Sequence, residues 1–304
     1  MRNFYGVTLS WTVTDHVCEL RLHRAPCNEI GSATLRELEE LVAFIQGGAA
    51  GARAMVIWSD RDAGFCAGAD LRELYEGIQT LSGAGIRQML PEVVRGGSGR
   101  LKTLADLAST AFRRGSRAVT HPLVRREIRK HLLRIHAVMD ALDMAPLTTV
   151  AAVHGFCFGG GLELALTADV IVADRSARFA LPELRLGLVP GFGGIPRLER
   201  NVGNAVARDI LLTGRSLGAR RAHEVGLVQQ VVGRGKALDA ARSTARQAAR
   251  FDAEVIAKAK AFTKKLPRAR LDEEIATFMD MASSPRLEAA LERFVTSTDV
   301  RPYL

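Results

Sequence analysis

Two glutamates in apolar surroundings are the residues of this sequence best suited to proton transfer. Glu163 lies within residues 162–166 (LELAL), and Glu183 lies between Pro182 and Leu184. Carboxylates are rarely buried unless they are paired, and burial moves a carboxyl pKa toward the range in which it exchanges protons near neutral pH. The sequence therefore predicts an acid–base pair. For Glu163, the alternative is a charge that balances the positive end of a helix dipole.

Three glycine-containing segments accompany these glutamates. They are residues 65–70 (FCAGAD), 153–165 (VHGFCFGGGLELA) and 179–194 (FALPELRLGLVPGFGG). The first two place a glycine loop between a predicted buried strand and a predicted helix, where backbone N–H groups can approach a ligand closely. Two such loops facing each other would stabilise a developing oxyanion. The alternatives are tight strand–helix packing or a phosphate loop, although the spacing fits neither standard phosphate-binding motif.

The elements around these segments predict an α/β core with crossover connections. Short apolar runs without polar alternation are typical of strands covered on both faces, and they alternate with helical periodicity. Strands are predicted within 7–22 and at 54–58, 147–153 and 169–173, and helices at 32–46 (with Ser32 as N-cap), from 71, at 123–142 and from 160. From Asn201 the chain is predicted to be nearly all helical, apart from 227–232.

The composition is that of a globular protein large enough for a sizeable core. The 304 residues are 47% hydrophobic, without an apolar run of 18 residues, so no transmembrane helix is predicted. The N-terminal residues have no apolar core of the signal-peptide type, which makes a cytoplasmic location the expectation. The four cysteines show no CxxC pair and no metal spacing, so we expect reduced thiols and no metal site.

Taken together, the three segments resemble the crotonase, or enoyl-CoA hydratase/isomerase, superfamily in order, spacing and local context. The resemblance covers about 1–76 and 125–304, and it includes the stretches 212–214 (LTG) and 226–228 (GLV). It implies a crotonase-like spiral of ββα units over 1–200 and a C-terminal helical region, 201–304, used in trimerisation. A homotrimer or hexamer is therefore expected.

The resemblance also implies the roles of individual residues toward an acyl-CoA substrate. The backbone N–H groups of Ala69 and Gly160 would form the oxyanion hole, and Glu163 and Glu183 would hold a catalytic water. Further substrate-binding positions are Ala67, Gly68, Asp70, Gly159 and Arg72. No cofactor is expected beyond the coenzyme A of the substrate. Asp70 is also a candidate cap for the helix at Leu71.

Several functions fit this pattern. Two glutamates favour an enoyl-CoA hydratase, while an isomerase, a decarboxylase or a thioester hydrolase would use the same oxyanion hole. A non-catalytic protein that binds acyl thioesters or nucleic acid is the alternative from another class. Retention of both carboxylates and both loops argues against it, and base-stacking aromatic residues are scarce near the basic segment, apart from Phe112.

A basic insertion at about 77–125 departs from the family pattern. Residues 77–140 carry 12 Lys and Arg against four Asp and Glu, which accounts for +8 of the net charge of +9. Ninety residues separate Ala69 from Gly160, more than in ordinary family members. The insertion could form a lid, enlarge an acyl pocket, or meet cofactor phosphates or an acidic acyl carrier protein. The alternative is a solvated surface with no such role.

Lysines 258, 260, 264 and 265 recur in a predicted C-terminal helix. They are interpreted as a solvated face, with contact to coenzyme A from a neighbouring subunit as the alternative.

Replacing Arg113, Arg114 and Arg117 together with glutamine should weaken binding of an acyl carrier protein, because these side chains supply part of the positive charge. Added salt should weaken binding to the unmodified protein as well. Isothermal titration calorimetry at low and physiological ionic strength measures both effects, with a variant lacking three arginines outside 77–125 as control. If the unmodified protein and both variants bind acyl carrier protein with equal affinity, the carrier-protein hypothesis is wrong.

Overall fold

The structure is a computed structural model that describes residues 3–81, 122–282 and 284–296. The basic insertion predicted at 77–125 lies mostly between the first two ranges. Phe112, Arg113, Arg114 and Arg117 are outside the described residues, so the interpretations that rest on them stay predictions.

Short strands and helices alternate along the chain. The strands are β1 (Asn3–Tyr5), β2 (Leu9–Thr14), β3 (Val17–Leu22), β4 (Ala54–Ser59), β5 (Gly64–Cys66), β6 (Thr148–Val153), β7 (Phe156–Phe158), β8 (Val170–Asp174), β9 (Arg178–Ala180), β10 (Leu217–Gly218) and β11 (Gln230–Val232). The helices are α1 (Ser32–Gln46), α2 (Leu71–Leu81), α3 (Pro122–Asp143), α4 (Gly160–Ala165), α5 (Gly194–Thr213), α6 (Ala219–Glu224), α7 (Ala237–Ala248), α8 (Ala253–Thr263), α9 (Arg268–Met281) and α10 (Pro285–Thr296). Short 3₁₀ turns lie at Ala49–Gly51 and Glu183–Leu186.

Within the described residues, the strands form two sheets. The larger has seven strands in the order β1-β2-β3-β4-β6-β8-β11, antiparallel from β1 to β3 and parallel from β3 to β11. The smaller has the order β10-β9-β7-β5, with β5, β7 and β9 parallel. Nearly every residue of β4 and β6 is buried, as expected for parallel strands covered on both faces.

A repeated ββα unit generates both sheets. The repeats are β4-β5-α2, then β6-β7-α4, then β8-β9 followed by the 3₁₀ turn and α5. In each repeat the first strand joins the larger sheet and the second joins the smaller one. Because the second strands are parallel neighbours, their carboxyl ends lie at one edge, where ligand sites of parallel sheets form. The loops after β5, β7 and β9 are thereby brought together.

Helices cover both faces of the larger sheet. On one face, α1 and α3 contribute Leu38, Ile135 and Met139 to the main core. Alternate residues of the same strands point to the other face, where Val150 packs against Ala241 of α7. The small side chains of α7 let the helix lie close to the strands.

A buried ion network attaches the C-terminal helices to this core. Lys264 Nζ lies 2.9 Å from Asp143 and 3.0 Å from Asp169, and Lys260 Nζ lies 2.7 Å from Asp169. Both lysines are buried, Lys260 with its ammonium bonded to carbonyls of the loop between α3 and β6. The interpretation of a solvated face was therefore wrong for these two residues, because α8 packs against that loop. Lys258 is exposed, as predicted.

One helix boundary differs from the sequence predictions. Gly31, not Ser32, occupies the cap position of α1, and the carboxylate of Glu73 accepts the N–H of Ser32 at 3.0 Å. The division between residues 200 and 201 stays a prediction. Among the described residues, no helix has the length and apolar character needed to cross a membrane.

Replacing Lys264 with methionine should lower the free energy of unfolding by about 3 kcal/mol, because Asp143 and Asp169 would stay buried with one cation fewer. Lys258→Met, at an exposed position in α8, the helix that Lys264 follows, should change stability by less than about 0.5 kcal/mol. Urea denaturation followed by circular dichroism compares the two variants. Equal losses would show that the network does not anchor α8.

Candidate active site

The carboxyl-end loops of β5, β7 and β9 enclose a cavity of about 500 Å³. Eight of the nine predicted site residues line it, and Arg72 does not. The eight are Ala67, Gly68, Ala69, Asp70, Gly159, Gly160, Glu163 and Glu183. The repeat of the ββα unit thus places residues from three separate segments around one space.

Two backbone N–H groups, those of Ala69 and Gly160, lie on closely approaching neighbouring loops. Ala69 forms a parallel bridge with Ile30. Ile30 donates its N–H to the carbonyl of Gly68 and accepts the N–H of Asp70, so the N–H of Ala69, between these two residues, points away from Ile30. Gly160 opens α4, and N–H groups of a first helical turn have no partner within the helix. A Cβ built on Gly160 would lie 3.4 Å from the Ala69 nitrogen, which shows how closely the loops approach. That these two N–H groups bind one ligand oxygen stays a prediction.

Glycine is required at this junction for two reasons. Gly159 has φ = +52°, which favours glycine, and a Cβ there would lie 2.8 Å from Oε1 of Glu183. A Cβ on Gly160 would lie 2.6 Å from the ring of Phe192. Larger residues would fill the space between the two carboxylates and the N–H donors.

Glu163 lies in the first turn of α4 and is almost completely buried. Its Oε1 accepts the N–H groups of Phe192 at 2.8 Å and Gly194 at 2.9 Å. Burial, and to a smaller extent the charge of Glu183, raise the pKa of Glu163 to about 8 against the opposing effect of the two N–H groups. Glu163 can therefore exchange a proton near neutral pH.

Glu183 opens the 3₁₀ turn after β9. Burial raises its pKa to about 8, with a smaller contribution from the charge of Glu274. Among the described residues, its buried Oε2 has no hydrogen-bond partner. Buried polar atoms normally have one, so this oxygen is free to bond a ligand in the cavity.

A third buried carboxylate, Glu274 of α9, was missed in the sequence. Its Oε1 accepts the N–H of Gly193 at 2.6 Å, and its Oε2 accepts the N–H of Ile195 at 2.9 Å. Burial and the charge of Glu163 raise its pKa to about 8. The signal was a glutamate at a core position of the helical repeat, between the buried Leu271 and Ile275.

The remaining walls of the cavity are largely apolar. They come from α2, α3, α9 and the segment before α5, and they include Leu74, Ile128, Leu132, Leu188 and Phe278. A polar reaction centre beside an apolar wall suits a ligand with a reactive carbonyl and a hydrocarbon portion.

The two charged residues of the first loop have separate structural roles. Asp70 caps α2, accepting the N–H of Glu73 at 2.9 Å, and it forms an ion pair with Arg24. Arg72 points away from the cavity, toward α10, where it donates to the carbonyl of Val295 at 3.3 Å. The predicted cap is confirmed, while a substrate contact of Arg72 stays a prediction.

His154, Cys66 and Cys157, which lie in or next to the loops, have structural surroundings. His154 bonds the carbonyl of Arg61 at 2.9 Å. Cys66 and Cys157 are fully buried, and burial raises the pKa of Cys66 to about 12. Both thiols are core residues.

Comparison with known proteins identifies the protein family to which the chain belongs. The family model for enoyl-CoA hydratase/isomerase matches residues 127–297. A probable enoyl-CoA hydratase from Mycobacterium bovis is 42% identical over 125 residues, 41% of this chain and 49% of that protein. A carnitinyl-CoA dehydratase from Escherichia coli is 47% identical over 98 residues, 32% of this chain and 38% of that protein. These matches span about half or less of the curated relatives.

Solved structures extend the likeness over nearly the whole fold. The crystal structure of an enoyl-CoA hydratase from Mycobacterium avium has a TM-score of 0.72 and 19% identity, covering 95% of this chain and 99% of that one. At this identity the likeness shows the fold alone. The predicted crotonase-like α/β fold with a helical C-terminal region is confirmed.

The raised pKa values of the three glutamates should make the protein less stable as pH rises. Between their ordinary value of 4.5 and about 8, the folded state holds more protons than the unfolded chain, so the free energy of unfolding falls through this window. Below pH 6.5 the lowered pKa of His136 acts in the opposite direction. The clear window is therefore pH 6.5 to 8, with a slope of about 1.4 kcal/mol per pH unit for each proton held.

Chemical denaturation at closely spaced pH values measures this slope. Glu163→Gln should flatten it, and Glu273→Gln, an exposed neighbour on α9, should leave it unchanged. A slope that is identical in all three proteins would show that these carboxyl groups are not protonated in the folded state.

Proposed function

Because the chain belongs to the enoyl-CoA hydratase/isomerase family, we propose that it adds water across the double bond of an α,β-unsaturated acyl thioester. The observation that carries the proposal is the pair formed by the buried Glu163 and the half-buried Glu183, whose Oε2 is buried, at one cavity beside the N–H groups of Ala69 and Gly160. We further propose acyl-CoA as the substrate and a homotrimer or hexamer as the assembly. An acyl carrier protein is the alternative acyl donor.

The N–H groups of Ala69 and Gly160 would polarise the thioester carbonyl. Electron density then withdraws from Cβ, and addition of water produces an enolate whose oxygen carries negative charge. Preorganised donors stabilise such charge far better than water does, by about 3 to 4 kcal/mol for one donor. The apolar walls at Leu132 and Phe278 would hold the hydrocarbon part of the acyl group.

The two glutamates would divide the proton transfers. Glu163, ionised, takes a proton from water while the water oxygen bonds to Cβ. Glu183, protonated, gives its proton to Cα as the enolate collapses, so a water molecule is added in total. Because the pKa values of both groups are raised to about 8, the protonated and ionised forms of each are accessible near neutral pH. Return of the proton from Glu163 to Glu183 completes the cycle.

Hydration is favoured over the sister reactions by the presence of both carboxylates. Isomerisation, decarboxylation and thioester hydrolysis would use the same oxyanion hole, and they are distinguished by the product formed. The relative from Escherichia coli is called a dehydratase, and dehydration is the reverse of the step proposed here.

Replacing either Glu163 or Glu183 with glutamine should lower kcat for hydration about 100-fold or more, because general acid–base catalysis contributes at least that much. The assay is loss of the ultraviolet absorbance of the conjugated thioester, with a panel of enoyl-CoA substrates of increasing chain length. Glu273→Gln is the matched control, since it changes an exposed glutamate and should retain full activity.

Full activity of both glutamine variants would overturn the mechanism. Loss of absorbance accompanied by release of an equal amount of free thiol would identify a hydrolase instead, because cleavage of the thioester also destroys the conjugated chromophore. Binding of acyl-CoA without any turnover would favour the non-catalytic alternative.

A further inference from the structure

Four successive N–H groups of the loop that leads into α5 are divided between two glutamates. Glu163 accepts those of residues 192 and 194, and Glu274 accepts those of residues 193 and 195. The cap residue of α5, Gly193, has no side chain to accept these bonds. Two carboxylates from α4 and α9 therefore cap one helix from opposite sides.

The carbonyls of the same loop are also bonded. His136 Nε2 lies 2.9 Å from the oxygen of Gly191, and Arg197 Nη1 donates to the oxygens of Phe192 at 3.3 Å and Gly193 at 3.0 Å. The backbone that holds Oε1 of Glu163 is thus fixed by contacts outside the cavity. Glu274 itself does not line the cavity.

We propose that Glu274 is a positioning residue for catalysis, which fixes the 192–195 backbone so that Glu163 presents its second carboxylate oxygen to the cavity. This role deepens the proposed function and rests on it, since Glu163 is the base assigned there. Loss of the bonds from Gly193 and Ile195 would let the loop move, and Glu163, bonded to the alternate N–H groups, would move with it. A displacement of about 1 Å at a reacting group can lower the rate about 100-fold.

The charge of Glu274 allows a second, separate test of this positioning role, through the pKa values of the neighbouring carboxyl groups. The titratable or charged groups facing it come from α3, α4, the 3₁₀ turn and α5, and they are His136, Glu163, Glu183 and Arg197. His136 has a pKa lowered to about 4, so it is neutral near pH 7. A negative charge on Glu274 disfavours ionisation of the other two carboxyl groups, and its removal lowers their pKa values.

The decisive experiment compares Glu274→Gln, Glu274→Asp and Glu273→Gln in steady-state hydration across pH 5.5 to 9.5. The amide of glutamine cannot accept both N–H groups, so kcat of Glu274→Gln should fall about tenfold or more, with KM within about twofold because Glu274 does not line the cavity. The apparent pKa values of kcat should also move down by about one unit. Glu273→Gln should match the unmodified protein in all three quantities.

Glu274→Asp separates geometry from charge. It keeps the carboxylate but draws it back by one methylene, so kcat should fall while the pH profile stays in place. If Glu274→Gln does not fold, as judged by circular dichroism and gel filtration, the aspartate variant decides. Unchanged kcat in Glu274→Asp then overturns the proposal, as does a Glu274→Gln variant with the kcat and pH profile of the control.

A measurement that needs no turnover distinguishes failure of this inference from failure of the proposed function. Carbon-13 NMR of protein labelled at the glutamate side-chain carboxyl follows the titration of Glu163 and Glu183, assigned with their glutamine variants. If no enoyl thioester is hydrated, the proposed reaction is wrong, and the titration still tests Glu274. Lower pKa values of both groups in Glu274→Gln support the coupling, whereas an unchanged titration overturns it.

Discussion

The backbone of residues 191–195 is the part of the molecule on which the candidate site most depends. It connects the 3₁₀ turn that carries Glu183 to α5, and it holds the carboxylate of Glu163 through the N–H groups of Phe192 and Gly194. Three carboxyl groups with raised pKa values lie near it, those of Glu163, Glu183 and Glu274. The dipole of a helix N-terminus stabilises nearby negative charge, and Arg197 adds a buried positive charge. Both features oppose the cost of holding these carboxyl groups close together.

The ββα repeat explains why residues distant in sequence meet around this loop. Each repeat ends its short strand at the same edge of the smaller sheet, so Ala69, Gly160 and Glu183 arrive there from three different segments. The strands fix the direction of the loops, and the glycines let the loops touch. The C-terminal helices then close the arrangement from outside, anchored by the ion network of Lys260 and Lys264. The ββα repeats position the site residues, and Glu274 of the C-terminal helical region adds hydrogen bonds to the 191–195 backbone.

Much of the α/β core, and the location of most site residues, could be predicted from the sequence because the signals are local. An apolar context marks Glu163 and Glu183, and glycine clusters mark the loops. Lys264 follows a helix with several charged residues, a pattern that usually indicates solvent exposure. Its burial depends on partners far along the chain, such as Asp143. Local periodicity cannot indicate which long-range contacts will exclude water from one charged residue and leave the next one exposed.

The separation of Glu163 and Glu274 along the chain has a consequence for synthesis of the protein. Both proposed catalytic carboxylates, and the two amides proposed to form the oxyanion hole, leave the ribosome well before α9 does. Until α9 folds back, the amides of Gly193 and Ile195 have no carboxylate partner, and Phe278 is not yet part of the cavity wall. The nascent chain therefore carries the reactive groups in an unfinished arrangement. The groups proposed for the chemistry are thus synthesised before the residues that complete the site. The site is complete only after the C-terminal third of the chain has been synthesised and has folded.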